Sequence, residues 1–316
     1  MRAAVNREYG APDVVGVEEV PAPTPGAKQV LVRVHASAVT AADWRIRAAH
    51  FPRGYALIAR LLFGLRRPRH QILGNVASGV VEAVGARVEG FAVGDEVCGA
   101  TGLALGCHAE LAVFPAKRLA HKPAAVSHEQ AAGLLFGGST ALHWVRDVGH
   151  VQAGQTVLVN GASGAVGTNA VQLAKHFGAE VTAVASAANA TLLKELGADH
   201  VVDYALTPVT GLTEKFDVVL DNVGNIGRDA GRRLLAPGGV VLLVVADLGE
   251  TLRARGNVKA GPAPERAESF TTLLDLVADG TVKVVIQHVL ELDDITRAHE
   301  IVDSGRKVGN IVVKLA

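Results

Sequence analysis

Through the first third of the chain, short apolar or alternating runs are interrupted every few positions by glycine, proline or paired polar residues. QVLVRV (29–34), GVVEAV (79–84) and EVC (96–98), the last following the turn-forming Gly94-Asp95, have the length and β-branched content of antiparallel strands. Pro21, Pro23, Pro25 and Gly26 mark a rigid loop between them. From Thr156 the pattern changes. TVLVN (156–160), EVTAVA (180–185), HVVDY (200–204), DVVLDNV (217–223) and VVLLVV (240–245) are largely apolar, and helical stretches over 168–177 and 190–196 stop at Gly178 and Gly197. Such strands joined by helices predict a parallel sheet covered on both faces, a doubly wound α/β unit. After residue 258 the pattern is mixed again: a helix over 265–279, a strand over 282–289, a short helix over 293–304 and a terminal strand NIVVKLA over 310–316. That tail is too short for a third domain and is expected to pack back on the first, making it discontinuous.

Between the first apolar strand of the doubly wound unit and its helix lies NGASGAVG (160–167), with G-x-x-G-x-x-G spacing. Glycines there permit a tight turn and let a pyrophosphate approach backbone N–H groups at a positive helix N-terminus. A lone glycine triplet says little, but this one sits between strand and helix with further strand–helix units behind it. It makes Gly161, Ala162, Ser163, Gly164, Ala165, Val166 and Gly167 the expected dinucleotide-binding loop. NAD-binding versions place an acid about 20 residues further on, against the ribose 2′-hydroxyl. Here the strand ends in Ser186-Ala187-Ala188-Asn189. With no carboxylate to repel a 2′-phosphate, and with Ser186, Asn189 and Tyr204 as neutral donors, NADPH is the expected cofactor. Ser186 and Asn189 also read as an N-cap box for the next helix.

Composition narrows the class. The 316 residues are 49% hydrophobic, enough for two cores, and 31 basic residues balance 31 acidic ones. No global field is available to hold nucleic acid, so the expected partner is a small molecule. Two cysteines, Cys98 and Cys107, supply neither a disulfide framework nor a Cys-rich zinc lobe. The longest apolar runs, 55–65 and 240–246, fall short of the roughly 20 residues of a membrane span. MRAAVNRE at the start has charges where a secretory signal needs an apolar run, so a reducing cytoplasmic setting is expected.

Seven collinear segments, VRVHASAVTAADW (32–44), GNVASGVVEAVG (74–85), GDEVCG (94–99), HAELAVFPAKRLAHKP (108–123), AAGLLFGGSTAL (131–142), GQTVLVNGASGAVGTNAVQLAKHFGAEV (154–181) and LGADHVVDY (196–204), resemble the medium-chain dehydrogenase/reductase superfamily in its zinc-free quinone oxidoreductase branch. The resemblance implies a GroES-like β-rich catalytic domain over 1–122, a Rossmann dinucleotide-binding domain over 123–258 and a return to the catalytic domain over 259–316. It also implies hydride transfer from NADPH to a quinone or an α,β-unsaturated carbonyl, and a homodimer joined through a sheet-edge strand, for which VVLLVV (240–245) is the expected one.

By the same resemblance Thr40 and Asp43 lie beside the nicotinamide pocket, Thr140 contacts the cofactor near the nicotinamide, and Asn222, Val223 and Gly224 with Leu243, Val244 and Val245 border its ribose and ring. A salt bridge from Asp43 to a local arginine is the competing reading. Zinc-dependent relatives have Cys where Thr40 stands and Gly-His-Glu where Gly74-Asn75-Val76 stands. Neither a Thr hydroxyl nor an Asn amide replaces such ligands well, so no metal is expected. Where the branch commonly has Asn at the position of Thr40 and Lys after Gly309, this chain departs from it. Tyr55 and His50 are the candidate proton donors.

Between Trp44 and Val81 stand seven arginines, at 45, 47, 53, 60, 66, 67 and 69, and no acid, interleaved with an ALIARLLFGL core (56–65) at helical spacing. Three readings are open: a helix packed on its own domain with solvated arginines, an apolar lid selecting lipophilic substrates, and a foot on a membrane surface. A non-catalytic NADP(H)-binding redox sensor or stress protein is the alternative to an enzyme, since no residue is an unmistakable acid or base.

Overall fold

In the computed structural model, which describes residues 1–315, the chain builds two large sheets and a two-stranded ribbon. The spine of the first is strand Gln29–Val39, which pairs antiparallel with Val76–Val84, Leu111–Pro115 and Asn310–Lys314. Glu96–Ala100 and Leu119–His121 extend one side of it, and Ile286–Glu291 the other. The expected strands are present but longer. Gly79 lies inside its strand rather than opening it, because a Cβ there would fall 2.0 Å from the Arg33 carbonyl oxygen of the neighbouring strand. The tail after Ala260 returns to this sheet. Its penultimate strand begins at Ile286 rather than 282, since Val282 is buried in the core of the other sheet. The expected end of the last strand, Ala316, lies outside the described residues.

The second sheet is parallel throughout, in the order His200–Asp203, Glu180–Ala185, Thr156–Asn160, Phe216–Asp221, Leu235–Leu243, Val258–Ala260. Alternate side chains go to opposite faces, as the period of two requires. Val157 and Val159 join the core under helix Ala165–His176, while Leu158 packs with Val184 and Val219 on the other face. The strand part of the run, 240–243, is therefore an inner strand with hydrogen-bonded neighbours on both sides, and cannot pair with a second copy, while Val244 and Val245 lie beyond its end. The short strand Val258–Ala260 holds the free edge instead. Its three residues carry too little apolar alternation to be read from sequence.

Helix His128–Leu142 packs on the first sheet and against helix Ala165–His176 of the second unit. Ser127 and Gln130 form its capping box. Gly137 lets it approach the second sheet's first helix so closely that a Cβ would stand 2.3 Å from the Ala165 carbonyl oxygen. Both cysteines are buried free thiols. Among the described residues no helix is long and apolar enough to cross a membrane. The arginine-rich stretch forms helix Ala56–Phe63, held to its own domain through buried Ala59 and through Phe63, while its leucines face outward.

Candidate active site and cofactor cleft

The glycine loop is held by its own backbone. Gly161 is left-handed at φ +71°, and its N–H and that of Ala162 both donate to the Val184 carbonyl, at 3.1 and 3.0 Å, which ties the loop to the adjacent strand end. A Cβ on Gly167 would stand 2.2 Å from the Gly161 carbonyl oxygen, so turn and helix can stack only with glycine there. Helix Ala165–His176 starts three residues earlier than expected, immediately after Gly164, and has no side-chain cap. The N–H groups of Ala165 and Val166 are left at its positive end without an intrahelical partner. At Gly164 a Cβ would meet nothing closer than 3.6 Å. The loop is thus a cradle open on one side, lined by N–H donors, and it fits a pyrophosphate. Ser163 accepts from the Gly309 N–H at 2.8 Å, fixing the loop against the returning tail.

At the next strand end Ser186 and Asn189 are bonded to each other, Asn189 Nδ2 donating to Ser186 Oγ at 3.1 Å, and neither side chain caps a backbone N–H. The expected N-cap box is absent because the side chains satisfy one another. Tyr204 stands exposed beside them, its N–H on the Ala185 carbonyl. Asp203, paired in register with Ala185, turns its carboxylate into its own turn, accepting from the Ala205 N–H. Lys175 is committed to Asp199 at 2.9 Å.

Further along the sheet, buried Asp221 organises the loop that sequence reasoning assigned to the cofactor. Its carboxylate accepts from the N–H groups of Val223, Gly224 and Ile226 and from Asn160 Nδ2. Asn222 donates to the Asn160 carbonyl, and its Oδ1 is buried with no partner among the described residues. Val244 and Val245 continue from the neighbouring strand, their N–H groups on the Asp221 carbonyl. Leu243 is corrected: its side chain is buried with Val241 and Val258 and does not reach the cleft. Thr140 is half-buried on its helix, its hydroxyl donating to the Phe136 carbonyl.

On the catalytic side two of the three expected residues do structural work. Thr40 caps helix Ala41–Arg47 in a capping box with Asp43. The Asp43 carboxylate is fully buried and takes three donors, the Thr40 N–H at 2.8 Å, the Thr40 hydroxyl at 2.6 Å and the Gly74 N–H at 2.8 Å. It therefore neither faces a substrate nor pairs with a local arginine. The third, Tyr55, lies half-buried at the start of helix Ala56–Phe63. There the Arg53 carbonyl accepts from the Leu248 N–H at 2.9 Å, bridging the catalytic side to the segment after Val245. His50 stacks on Trp44 and is exposed.

Two groups were not anticipated. Glu265, from the tail, accepts from Asn75 Nδ2 at 2.7 Å and lies 3.6 Å from Arg118. Burial raises its carboxyl above the usual range, partly opposed by Arg118 and the Asn75 hydrogen bond. Lys307, two residues before the glycine that holds Ser163, has its ammonium on the Gly309 carbonyl; desolvation lowers it to about 8. Nothing in their local sequence marks either residue, because each reaches the cleft from the far end of the chain.

A parallel sheet with a phosphate cradle, joined by a discontinuous β domain across a cleft, defines a two-domain dehydrogenase. Residues 26–124 match the alcohol dehydrogenase GroES-like domain and residues 196–313 the zinc-binding dehydrogenase family. The chain is 31% identical to the 2-methylene-furan-3-one reductase of Solanum lycopersicum, over 99% of its own length and 79% of the relative's. The quinone oxidoreductase of Coxiella burnetii superposes with a TM-score of 0.89 at 27% identity, covering 100% of this chain and 99% of that one. The Escherichia coli quinone oxidoreductase complexed with NADPH gives 0.82 at 26%, covering 99% and 100%. The chain belongs to the medium-chain dehydrogenase/reductase superfamily, in its quinone-oxidoreductase-like branch, and is an oxidoreductase of that fold.

Proposed function

We propose that the protein is a zinc-independent, NADPH-dependent reductase of quinones or α,β-unsaturated carbonyl compounds. The observation that carries the reading is the open glycine cradle beside a strand end without a free carboxylate. In this reading the N–H groups of Ala165 and Val166 hold the pyrophosphate. Ser186, Asn189 and Tyr204 receive the 2′-phosphate, which the turned-away Asp203 does not oppose. Asn222 and the half-buried Thr140, Val244 and Val245 border the ribose and ring, and Lys307 adds positive charge near the cradle. When bound, NADPH supplies a hydride.

The residues at the positions of zinc ligands favour reduction without a metal. The Thr40 hydroxyl is spent on Asp43 and the Asn75 amide on Glu265, and among the described residues no three His, Cys, Asp or Glu side chains come together as a ligand set. Alcohol oxidation needs help in lowering the hydroxyl pKa, whereas an activated C=C or a quinone needs positioning, a donor at the developing oxyanion and a proton. Tyr55 and Glu265 are the groups in this reading that supply them, Glu265 because burial raises its carboxyl above the usual range.

NADPH oxidation followed against a panel of quinones, enals and saturated alcohols tests the proposal. Turnover is expected with the first two and unchanged after chelation. A protein that binds NADPH but turns over none of them is the non-catalytic sensor.

A further inference from the structure

Helix Ala56–Phe63 turns outward the face a packed helix would bury. Leu57, Ile58, Leu61, Leu62 and, just beyond the helix, Leu65 are 69, 47, 56, 49 and 61% exposed. Isolated surface leucines are ordinary, but five on one short element make a contiguous patch, which soluble proteins keep small unless something covers it. The helix is not loosely attached. Phe63 stacks on Phe51, the Tyr9 hydroxyl donates to the Gly64 carbonyl at 2.7 Å, and the Arg60 guanidinium lies 4.4 Å over the Tyr9 ring. Gly64, at φ +122°, lets the chain fold back so that the Arg69 N–H reaches the Phe63 carbonyl at 2.7 Å. A side chain at Gly64 would collide with the Arg67 carbonyl at 2.0 Å. The fold therefore fixes the leucines outward and brings Arg66, Arg67 and Arg69 round to the same end.

Arginines dominate the surroundings of the patch, although Arg67 shares a surface hollow with Glu8, Asp13 and Glu18. Of the seven arginines, Arg45 is largely buried and Arg47 is paired with Asp303. The remaining five, Arg53, Arg60, Arg66, Arg67 and Arg69, form no ion pair with a carboxylate among the described residues, in a chain whose net charge is zero. An aliphatic face ringed by unpaired guanidinium groups matches acyl chains under a layer of phosphates. A second copy is disfavoured, because a twofold contact would set arginines against arginines. The patch also lacks the Trp and Tyr anchors that dominate protein interfaces.

We propose that helix Ala56–Phe63 and the turn after it dock on an anionic lipid surface, with Leu57, Ile58, Leu61, Leu62 and Leu65 in the interfacial layer and Arg53, Arg66 and Arg67 on headgroup phosphates, Arg60 and Arg69 being bonded to the Leu65 and Leu61 carbonyls. This is independent of the reductase reading. The test is co-sedimentation of the full chain with vesicles of phosphatidylcholine mixed with phosphatidylglycerol, against vesicles of phosphatidylcholine alone. Binding is expected to the mixed vesicles and to fall at least about tenfold without the anionic lipid or in high salt, which screens it. Leu61→Gln with Leu62→Gln should abolish it while leaving Tm unchanged, as both side chains are already exposed. Arg66→Gln with Arg67→Gln should weaken it about fivefold per residue. No binding by the parent protein, or equal binding by the leucine variant, overturns the proposal. So does a sedimentation shift from dimer to monomer in the leucine variant, which assigns the patch to a second copy, and so does a fall in its Tm of several degrees, which assigns it to packing.

Discussion

The two walls of the cleft are made of different material. On the dinucleotide side the working groups are backbone: N–H donors of a turn and a helix end, shaped by Gly161, Gly164 and Gly167, with all parts within eight residues. On the opposite side they are side chains gathered from a distance, Asp43 with Gly74, Asn75 with Glu265 190 residues away, and Arg47 with Asp303 256 residues away. A site made of backbone leaves its signature in the local sequence, because few residues can replace a glycine that other backbone atoms crowd. A site made of side chains is visible only once the fold has decided which of them meet.

The sharpest way to break this comparison is at Asp43. If its carboxylate is structural, Asp43→Ala strands three buried donors and should cost about 3 kcal/mol or more, seen as a large fall in Tm, while the folded fraction keeps kcat within a few-fold. A collapse of kcat at unchanged Tm would return Asp43 to the chemistry.

The glycines allow a finer cut. Gly167→Ala places a Cβ against fixed backbone and should lower stability by about 1–3 kcal/mol and weaken NADPH binding with it. Gly164→Ala meets only open space and should leave Tm unchanged, yet weaken NADPH binding, because its Cβ projects into the cradle. Equal loss of stability in both variants would mean that the open side of the loop is not a ligand site.

The smallest effect lies deep in the catalytic half. His299 is fully buried with neither ring nitrogen partnered among the described residues, and burial, with His108 and Arg47 nearby, lowers its pKa well below the ordinary value. As pH falls below about 6.5, the unfolded chain takes up a proton that the native state refuses. Stability should then decline by at most about 1.4 kcal/mol per pH unit until the folded pKa is reached. The difference in Tm between the parent and His299→Gln, measured from pH 7 to 5, should show that slope. A constant difference would mean that His299 takes up its proton equally readily in the folded and unfolded chain.

Much of the fold was legible because it rests on period and punctuation. The largely apolar runs 156–160 and 180–185 and the glycine stops at 178 and 197 locate the parallel sheet directly. What was misread has a common physical origin in long-range contact. Gly79 reads as a strand boundary until the neighbouring backbone is seen against it. The run 240–245 reads as an edge until Val258–Ala260 covers it. ALIARLLFGL leaves a packed helix, a lid and a membrane foot all open, because periodicity reports that a face exists, not which way it turns. At the site, the loop and the neutral strand end were anticipated, whereas Glu265 and Lys307 could not be, and Thr40 and Asp43 look functional from their position although their atoms are spent on one another and on Gly74.

The central claim, an NADPH site made by the glycine cradle and a strand end without a free carboxylate, is tested most directly by fluorescence titration of NADPH and NADH into the parent protein and into Ser186→Asp. The parent should bind NADPH at least about tenfold more tightly, the size of one charge-assisted hydrogen bond, and Ser186→Asp should reverse the order through like-charge repulsion. Equal affinities in the parent, or a ranking that Ser186→Asp leaves untouched, would contradict it.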